Sequence, residues 1–296
     1  MQASRELQSL RSSSPSPRLW LIAGTGEGPA LAVALLRAGW RLRVSVVTAA
    51  AALAYPDDPA LELQVGSLGG PDGAGGTAAV AGVLAQAVDQ GDPFEVVIDA
   101  SHPFAVRISA SLARACAGRH QPLLRLQRPL QPPEGAELIE DLHQLGGHVV
   151  PGDRLLLAIG ARRLSQAIDC SPGAVHFARV LPNPAALQQA RAAGLADGRL
   201  ACVRPGPGLL GVERALCLQW RIDTVLCRQS GGTTESLWRQ ICRDLDLRLL
   251  LLRRPSEPEG VTALPFEALL QWLGAVPGAQ RDPEERFNPD AGRPDP

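Results

Sequence analysis

Along this chain, short apolar segments that end in glycine or polar turns alternate with segments of helical length, and few architectures can absorb that pattern. The run Arg18-Leu19-Trp20-Leu21-Ile22-Ala23 meets Gly24-Thr25-Gly26-Glu27-Gly28, and a helix is expected over 29–38 with Gly39 closing it. Further strands are expected at 41–48, 61–65, 95–99 and 122–127, with helices at 77–89 and 104–117. A proline-rich break at 129–135 follows, and the alternation then resumes. Beyond it, strands are expected at 154–159, 174–180, 199–203, 223–227 and 247–252. The intervening helices are expected at 161–168, 185–193, 209–220 and 233–244. A last helix at 266–273 could pack on either half.

Alternation at this spacing predicts parallel sheets joined by right-handed crossovers. The expected fold class is therefore α/β: two Rossmann-like parallel-sheet lobes with an interdomain cleft. The first, at 18–130, would bind a nucleotide; the second would occupy 131–275. Residues 1–17 are rich in Ser, Arg and Pro and read as a disordered extension, with a transit peptide as the alternative, and 276–296 read as a disordered tail.

Composition removes several function classes. A net charge of −1 and 4% aromatic residues leave neither a basic footprint nor a stacking platform for nucleic acid. All 29 basic residues are Arg, so a Walker A phosphate loop and a Schiff-base lysine are excluded. The six cysteines form no C-x-x-C pair and no zinc-type cluster with His, which reads as a reduced, cytoplasmic protein with structural thiols and no metal. No apolar run reaches the ~18 residues of a membrane helix.

Chemistry concentrates at strand ends. Val96-Val97-Ile98 is a buried-strand signature, and Asp99-Ala100-Ser101-His102 then places a carboxylate, a hydroxyl and an imidazole before Pro103-Phe104-Ala105. In open α/β sheets ligands bind past the carboxyl ends of strands, so this stretch reads as one wall of a site. Asp99 is expected to hold the turn or cap the following helix, and Ser101 to donate a hydrogen bond. His102 is expected to bind or position a ligand in preference to transferring a proton. Gly24-x-Gly26 between a strand and a helix suits a dinucleotide pyrophosphate, because backbone N–H groups and the helix dipole face the anion there. The third glycine of the usual G-x-G-x-x-G spacing would fall at Pro29; Gly28 comes one residue early. The second strand ends Val46-Val47-Thr48-Ala49 without a carboxylate for a ribose 2′-hydroxyl, which favours NADPH over NADH.

Three segments together resemble one family, the precorrin-6A reductases of cobalamin biosynthesis with their cobalt-precorrin-6A counterparts. They are Gly24-Thr25-Gly26-Glu27-Gly28, the stretch Ile98-Asp99-Ala100-Ser101-His102-Pro103-Phe104-Ala105, and Ser230-Gly231-Gly232 behind the strand Thr224-Val225-Leu226-Cys227. The loop Val65-Gly66-Ser67-Leu68-Gly69-Gly70 and the segment Ile159-Gly160-Ala161-Arg162 fall in the expected order, so the resemblance spans 19–273. One departure is clear. The family usually has Lys, then Asp or Asn, before Ser-Gly-Gly, where this chain has Arg228-Gln229. Arg keeps the positive charge for an anion but, with a pKa above ~12, is a poor proton donor.

The resemblance implies NADPH-dependent reduction of precorrin-6A to precorrin-6B by hydride delivery to one ring double bond, with NADH the alternative for a cobalt-containing substrate. It implies cofactor binding by Gly24, Thr25, Gly26, Glu27, Thr48, Ser101, His102, Arg228, Ser230, Gly231 and Gly232. Substrate binding would fall to Ser67, Phe104 and Arg162, and no catalytic acid is assigned. The expected partner is a small-molecule tetrapyrrole, with no nucleic acid and no membrane. Two other readings stay open: an NAD(P)-dependent reductase of another small substrate, and a non-catalytic tetrapyrrole- or nucleotide-binding protein.

Overall fold

A computed structural model describes residues 16–24, 26–69, 75–204 and 210–274. The expectations for Thr25, for Gly70 and for nearly all of both terminal segments lie outside the described residues. The chain forms two units: the first runs to Gln127 and resumes at Glu257, and the second is Arg128–Ser256.

In the first unit the order is β1 (Arg18–Ala23), α1 (Glu27–Arg37), β2 (Arg41–Val46), α2 (Ala49–Ala52), β3 (Leu61–Val65), α3 (Gly76–Asp89), β4 (Val96–Ala100), α4 (Val106–Ala117) and β5 (Leu123–Gln127). The second unit contains β6 (Glu137–Ile139), β7 (Arg154–Ala158), α5 (Leu164–Asp169), β8 (Val175–Val180), α6 (Pro184–Ala192), β9 (Leu200–Cys202), α7 (Leu210–Gln219), β10 (Thr224–Arg228), α8 (Thr233–Asp244) and β11 (Arg248–Leu252). The chain then returns to the first unit with β12 (Thr262–Pro265) and α9 (Phe266–Trp272).

The first sheet runs β3-β2-β1-β4-β5-β12 and the second β9-β8-β7-β10-β11-β6, with every pairing parallel. Counted from its own first crossover strand, each sheet has the Rossmann order 3-2-1-4-5-6. The sixth place is filled from outside the crossover series, by β12 in one sheet and by β6 in the other.

The expected second lobe ending at 275 is corrected here. Thr262 pairs with Leu124 across β12 and β5, and Leu269, Leu270 and Leu273 of the α9 region join Leu31 and Leu35 of α1 in one core. Trp40 also donates its indole N–H to Leu273 O at 3.1 Å. Both sixth strands escape a sequence reading for the same reason. An edge strand has one neighbour and needs little apolar sequence, and β12 can end in Pro265 because the edge asks for fewer donors.

The two faces of β4 show why Val-Val-Ile reads as a central strand. Val96, Ile98 and Ala100 pack with Leu19, Leu21 and Leu31, while Val97 packs on the opposite face with Trp20, Val80 and Leu112. Each such Val, Leu or Ile side chain, fully buried, stabilises by roughly 1.5–3 kcal/mol. In the second unit Phe177, Val225, Trp238, Ile241 and Leu251 build the equivalent core under α7 and α8. Cys116, Cys217 and Cys242 are buried and their thiols are pushed up to about 12 by desolvation, which makes them inert packing residues.

Candidate functional site

In a Rossmann sheet the crevice opens where neighbouring strands send their helices to opposite faces, between β1 and β4 here. Ala23 and Ala100 are register partners at the ends of those strands, so Gly24 and Ser101 leave the sheet side by side. A Cβ built on Gly24 would lie 3.6 Å from both the Ser101 Cα and the His102 nitrogen. Two of the segments singled out from the sequence therefore meet. Gly26 is exposed at the start of α1, with nothing within 4 Å of a built Cβ, so the backbone there is open to a ligand. Glu27 lies in the first turn of α1, where the helix dipole favours a carboxylate.

Gly28 has a different task. A Cβ there would collide with the Tyr55 hydroxyl and come within 3.0 Å of Ala23 Cβ. It is the glycine that brings helix and strand close together, the usual work of the third fingerprint glycine, performed one residue early. Burial beneath α1 also pushes the Tyr55 phenol up to about 12.

The turn after β4 is held from below. Asp99 is 2% exposed; one of its oxygens accepts the Ser101 N–H at 2.9 Å and the other accepts from Arg125. Arg125 Nη1 also donates to Ser109 Oγ at 2.7 Å, and Ser109 Oγ lies 3.3 Å from Ser101 Oγ. The helix expected from 104 begins at Val106, because His102 closes its own turn first. Its Nδ1 accepts the Phe104 N–H at 3.1 Å, and its carbonyl accepts the Ala105 N–H at 2.7 Å. With Nδ1 acting as acceptor, the neutral ring carries its proton on Nε2. The Phe104 ring is tilted against it, centroids 5.8 Å apart.

Thr48 and Ser67 lie elsewhere along the same edge of the sheet. Exposed Thr48, just past β2, caps α2 by accepting the Ala51 N–H at 3.2 Å. Ser67 is exposed past β3, the outermost strand, and the next residue, Leu68, turns back to pack on the core of Val97 and Leu112.

The second unit has its own crevice position, between β7 and β10. Gly160 follows β7 with φ +85° and ψ 151°, a conformation open almost only to glycine, and a Cβ there would fall on Arg228 Nη2. The Arg228 guanidinium is pushed down to about 10, chiefly by burial, with the charges of Arg163 and Arg162 adding to the effect against the Cys227 thiol. Three guanidinium groups therefore concentrate positive potential at one strand end, with Arg162 and Arg163 exposed.

Ser230-Gly231-Gly232 is more occupied than an open anion nest would be. The Gly231 N–H donates to Glu235 Oε2 at 2.7 Å, so the anion it holds belongs to α8. Gly231 sits at φ +66°, and a Cβ there would strike Pro129 O. Arg254 binds the neighbouring backbone, donating to Arg128 O at 2.8 Å and to Gln229 O at 3.3 Å. Arg128 Nη1 would be 2.9 Å from a Cβ on Gly232.

Sequence reasoning missed Arg125, Glu257 and Gly160 as site-shaping residues. A charged residue inside the apolar run Leu123-Leu124-Arg125-Leu126 was the available signal for the first. The other two matter only through tertiary contacts.

Comparison with known proteins bears on the family and the fold. Residues 18–274 match the family described as Precorrin-6x reductase CbiJ/CobK. The chain is 32% identical to a cobalt-precorrin-6A reductase of Synechocystis sp. over 251 residues, 82% of this chain and 90% of that protein. It is 28% identical to a precorrin-6A reductase of Rhodococcus erythropolis over 273 residues, 88% of this chain and 98% of that one. Among solved structures, one described as CobK precorrin-6A reductase superposes with a TM-score of 0.67 at 24% identity, covering 87% of this chain and 96% of its own, and so shares the fold. The chain belongs to the precorrin-6x reductase family.

Proposed function

We propose that this member of the precorrin-6x reductase family reduces one ring double bond of precorrin-6A, or of its cobalt-containing counterpart, at the expense of a reduced nicotinamide dinucleotide, with NADPH preferred. The observation that carries the reading is the meeting of Gly24 with the Ser101–His102 turn at the β1–β4 crevice of a Rossmann-ordered sheet. The residues fit such a cofactor: Gly26 leaves the backbone at the start of α1 open, and Gly28 seats that helix closely on β1. Gly24, Gly26 and Glu27, with Thr25 between them, would hold the pyrophosphate and adjoining ribose, and Thr48 at the end of β2 the adenosine side. When bound, the nicotinamide supplies the hydride; the protein binds, orients and excludes water.

Ser101 and His102 then act as positioning donors from the β4 turn, and Phe104 offers an apolar face beside them. Arg228 and Arg162, with Arg163, suit an anionic oxygen of the substrate carboxylates or of a cofactor phosphate, because Arg recognises both with a planar fork. Ser230, Gly231 and Gly232 contribute chiefly by shaping the strand end on which Arg228 sits. Ser67 would meet the substrate from the loop after β3. The absence of a carboxylate at Val47-Thr48 supports NADPH over NADH. A cytoplasmic location accords with the free cysteines; among the described residues no helix is long and apolar enough to cross a membrane.

Titration of the purified protein with NADPH and NADH, followed by isothermal calorimetry, tests the cofactor assignment. NADPH is expected to bind about tenfold or more tightly, a difference of ~1.4 kcal/mol. Equal or tighter binding of NADH overturns the preference, and no binding of either overturns the cofactor site.

A further inference from the structure

Asp99 and Arg125 are direct register partners on β4 and β5, 2% exposed each, immediately below the Ser101–His102 turn. Desolvating such a pair is costly, and an apolar pair would fill the space without that cost. Its value lies in what it holds, and the hydrogen bonds show what that is. Arg125 has only donors. Its Nη1 donates to both Asp99 and Ser109 Oγ, and its Nε to Glu257, the first residue of the segment that returns from the second unit. Asp99 meanwhile fixes the Ser101 N–H.

Because Ser109 Oγ accepts from a cation, the 3.3 Å approach between the two hydroxyls is best used with Ser109 donating to Ser101. The Ser101 proton is then turned away from the network. We propose that Arg125 is a positioning residue: through Ser109 it polarises and orients the Ser101 hydroxyl as a donor, and through Asp99 it fixes the turn that carries His102. The ligand atom served is an anionic oxygen bound past the ends of β1 and β4. Two sources share that chemistry, a phosphate of the dinucleotide and a carboxylate of the tetrapyrrole. The proposal rests on the functional reading above only in placing an anion there.

The test is a double-mutant cycle of Ser101→Ala and Ser109→Ala, with Arg125→Met and Arg125→Lys beside it. The dissociation constant of NADPH is measured by calorimetry on the protein without substrate, and KM and kcat for precorrin-6A by steady-state kinetics. Ser109→Ala should weaken one of the two ligands about tenfold, with kcat changed less than about twofold. Weakened NADPH binding assigns the phosphate, and a raised KM for precorrin-6A assigns the carboxylate. The double variant should be no worse than Ser101→Ala alone, because both act on one donor. Arg125→Lys should recover part of what Arg125→Met loses.

Losses that add across the cycle, or a Ser109→Ala protein that binds both ligands as the wild type does, overturn the proposal. Should Arg125→Met fail to fold, the serine cycle still decides. Wild-type protein that binds neither ligand defeats the functional reading instead.

Discussion

Gly160→Ala is the substitution that most sharply separates fold from site. The residue lies at φ +85° and ψ 151°, where any side chain costs about 1–3 kcal/mol of backbone strain. The atom that a new Cβ meets is Arg228 Nη2, the far end of a flexible side chain, so the guanidinium swings aside and the strand stays in place. Two effects of different size follow. Thermal unfolding should begin lower by roughly 2–12 °C, taking ~2–4 °C per kcal/mol for a chain of this length. The loss of a correctly placed guanidinium should weaken anion recognition by the ~1.5–3 kcal/mol of a charge-assisted hydrogen bond, which is tenfold or more in KM. Calorimetric melts of the protein alone, with KM for dinucleotide and tetrapyrrole, measure both. In an Arg228→Met background the same Gly160→Ala change should lower the melting transition again but leave KM where Arg228→Met had put it. A Gly160→Ala protein with wild-type KM, or KM effects that add across the pair, would show that Gly160 does not set Arg228.

His102→Ala should weaken dinucleotide or substrate binding about tenfold while slowing the single-turnover hydride step less than about threefold; intact binding with a collapsed hydride rate refutes that order. Gly28→Ala should destabilise by ~1–3 kcal/mol because Cβ meets the Tyr55 hydroxyl and Ala23. Adding Tyr55→Phe should recover part of the loss, and no recovery would put the clash elsewhere. Asp92 is held below its ordinary value near 3.8 by its hydrogen bond from Arg41 and by the charges of Arg18 and Arg41, against desolvation. A depressed folded-state pKa adds stability that is present above the unfolded value and lost as pH falls through the folded one. Denaturant unfolding of Asp92→Asn should therefore lose less stability than the wild type as pH falls through and below the ordinary carboxylate value, and parallel curves would contradict the coupling.

How much of this was legible beforehand depends on where each residue sits. Central strands announce themselves, because Val96, Val97 and Ile98 must be apolar on both faces at once. Edge strands do not: Glu137–Ile139 and Thr262–Pro265 carry weak patterns, and the second placed a terminal segment in the wrong lobe. The strand-end motif after β4 was readable as polar residues following an apolar run, which is how Ser101 and His102 came to attention; Arg228 did so only through the family resemblance, where it stands in place of the usual Lys. Their supports were not readable. That Asp99 faces Arg125 depends on strand order, and that Gly160 lies under Arg228 depends on β7 pairing with β10. The Ser-Gly-Gly turn shows the opposite failing: its glycines suggest an anion nest, yet Glu235, five residues after Ser230, supplies the anion from within.

The most direct test of the account mixes the purified protein with precorrin-6A and NADPH, anaerobically, and follows nicotinamide absorbance beside the spectrum of the tetrapyrrole. Oxidation of one NADPH for each tetrapyrrole reduced, with a blue shift as one ring double bond is lost, is the predicted result. No oxidation of NADPH or NADH with either the metal-free or the cobalt-containing substrate would contradict it.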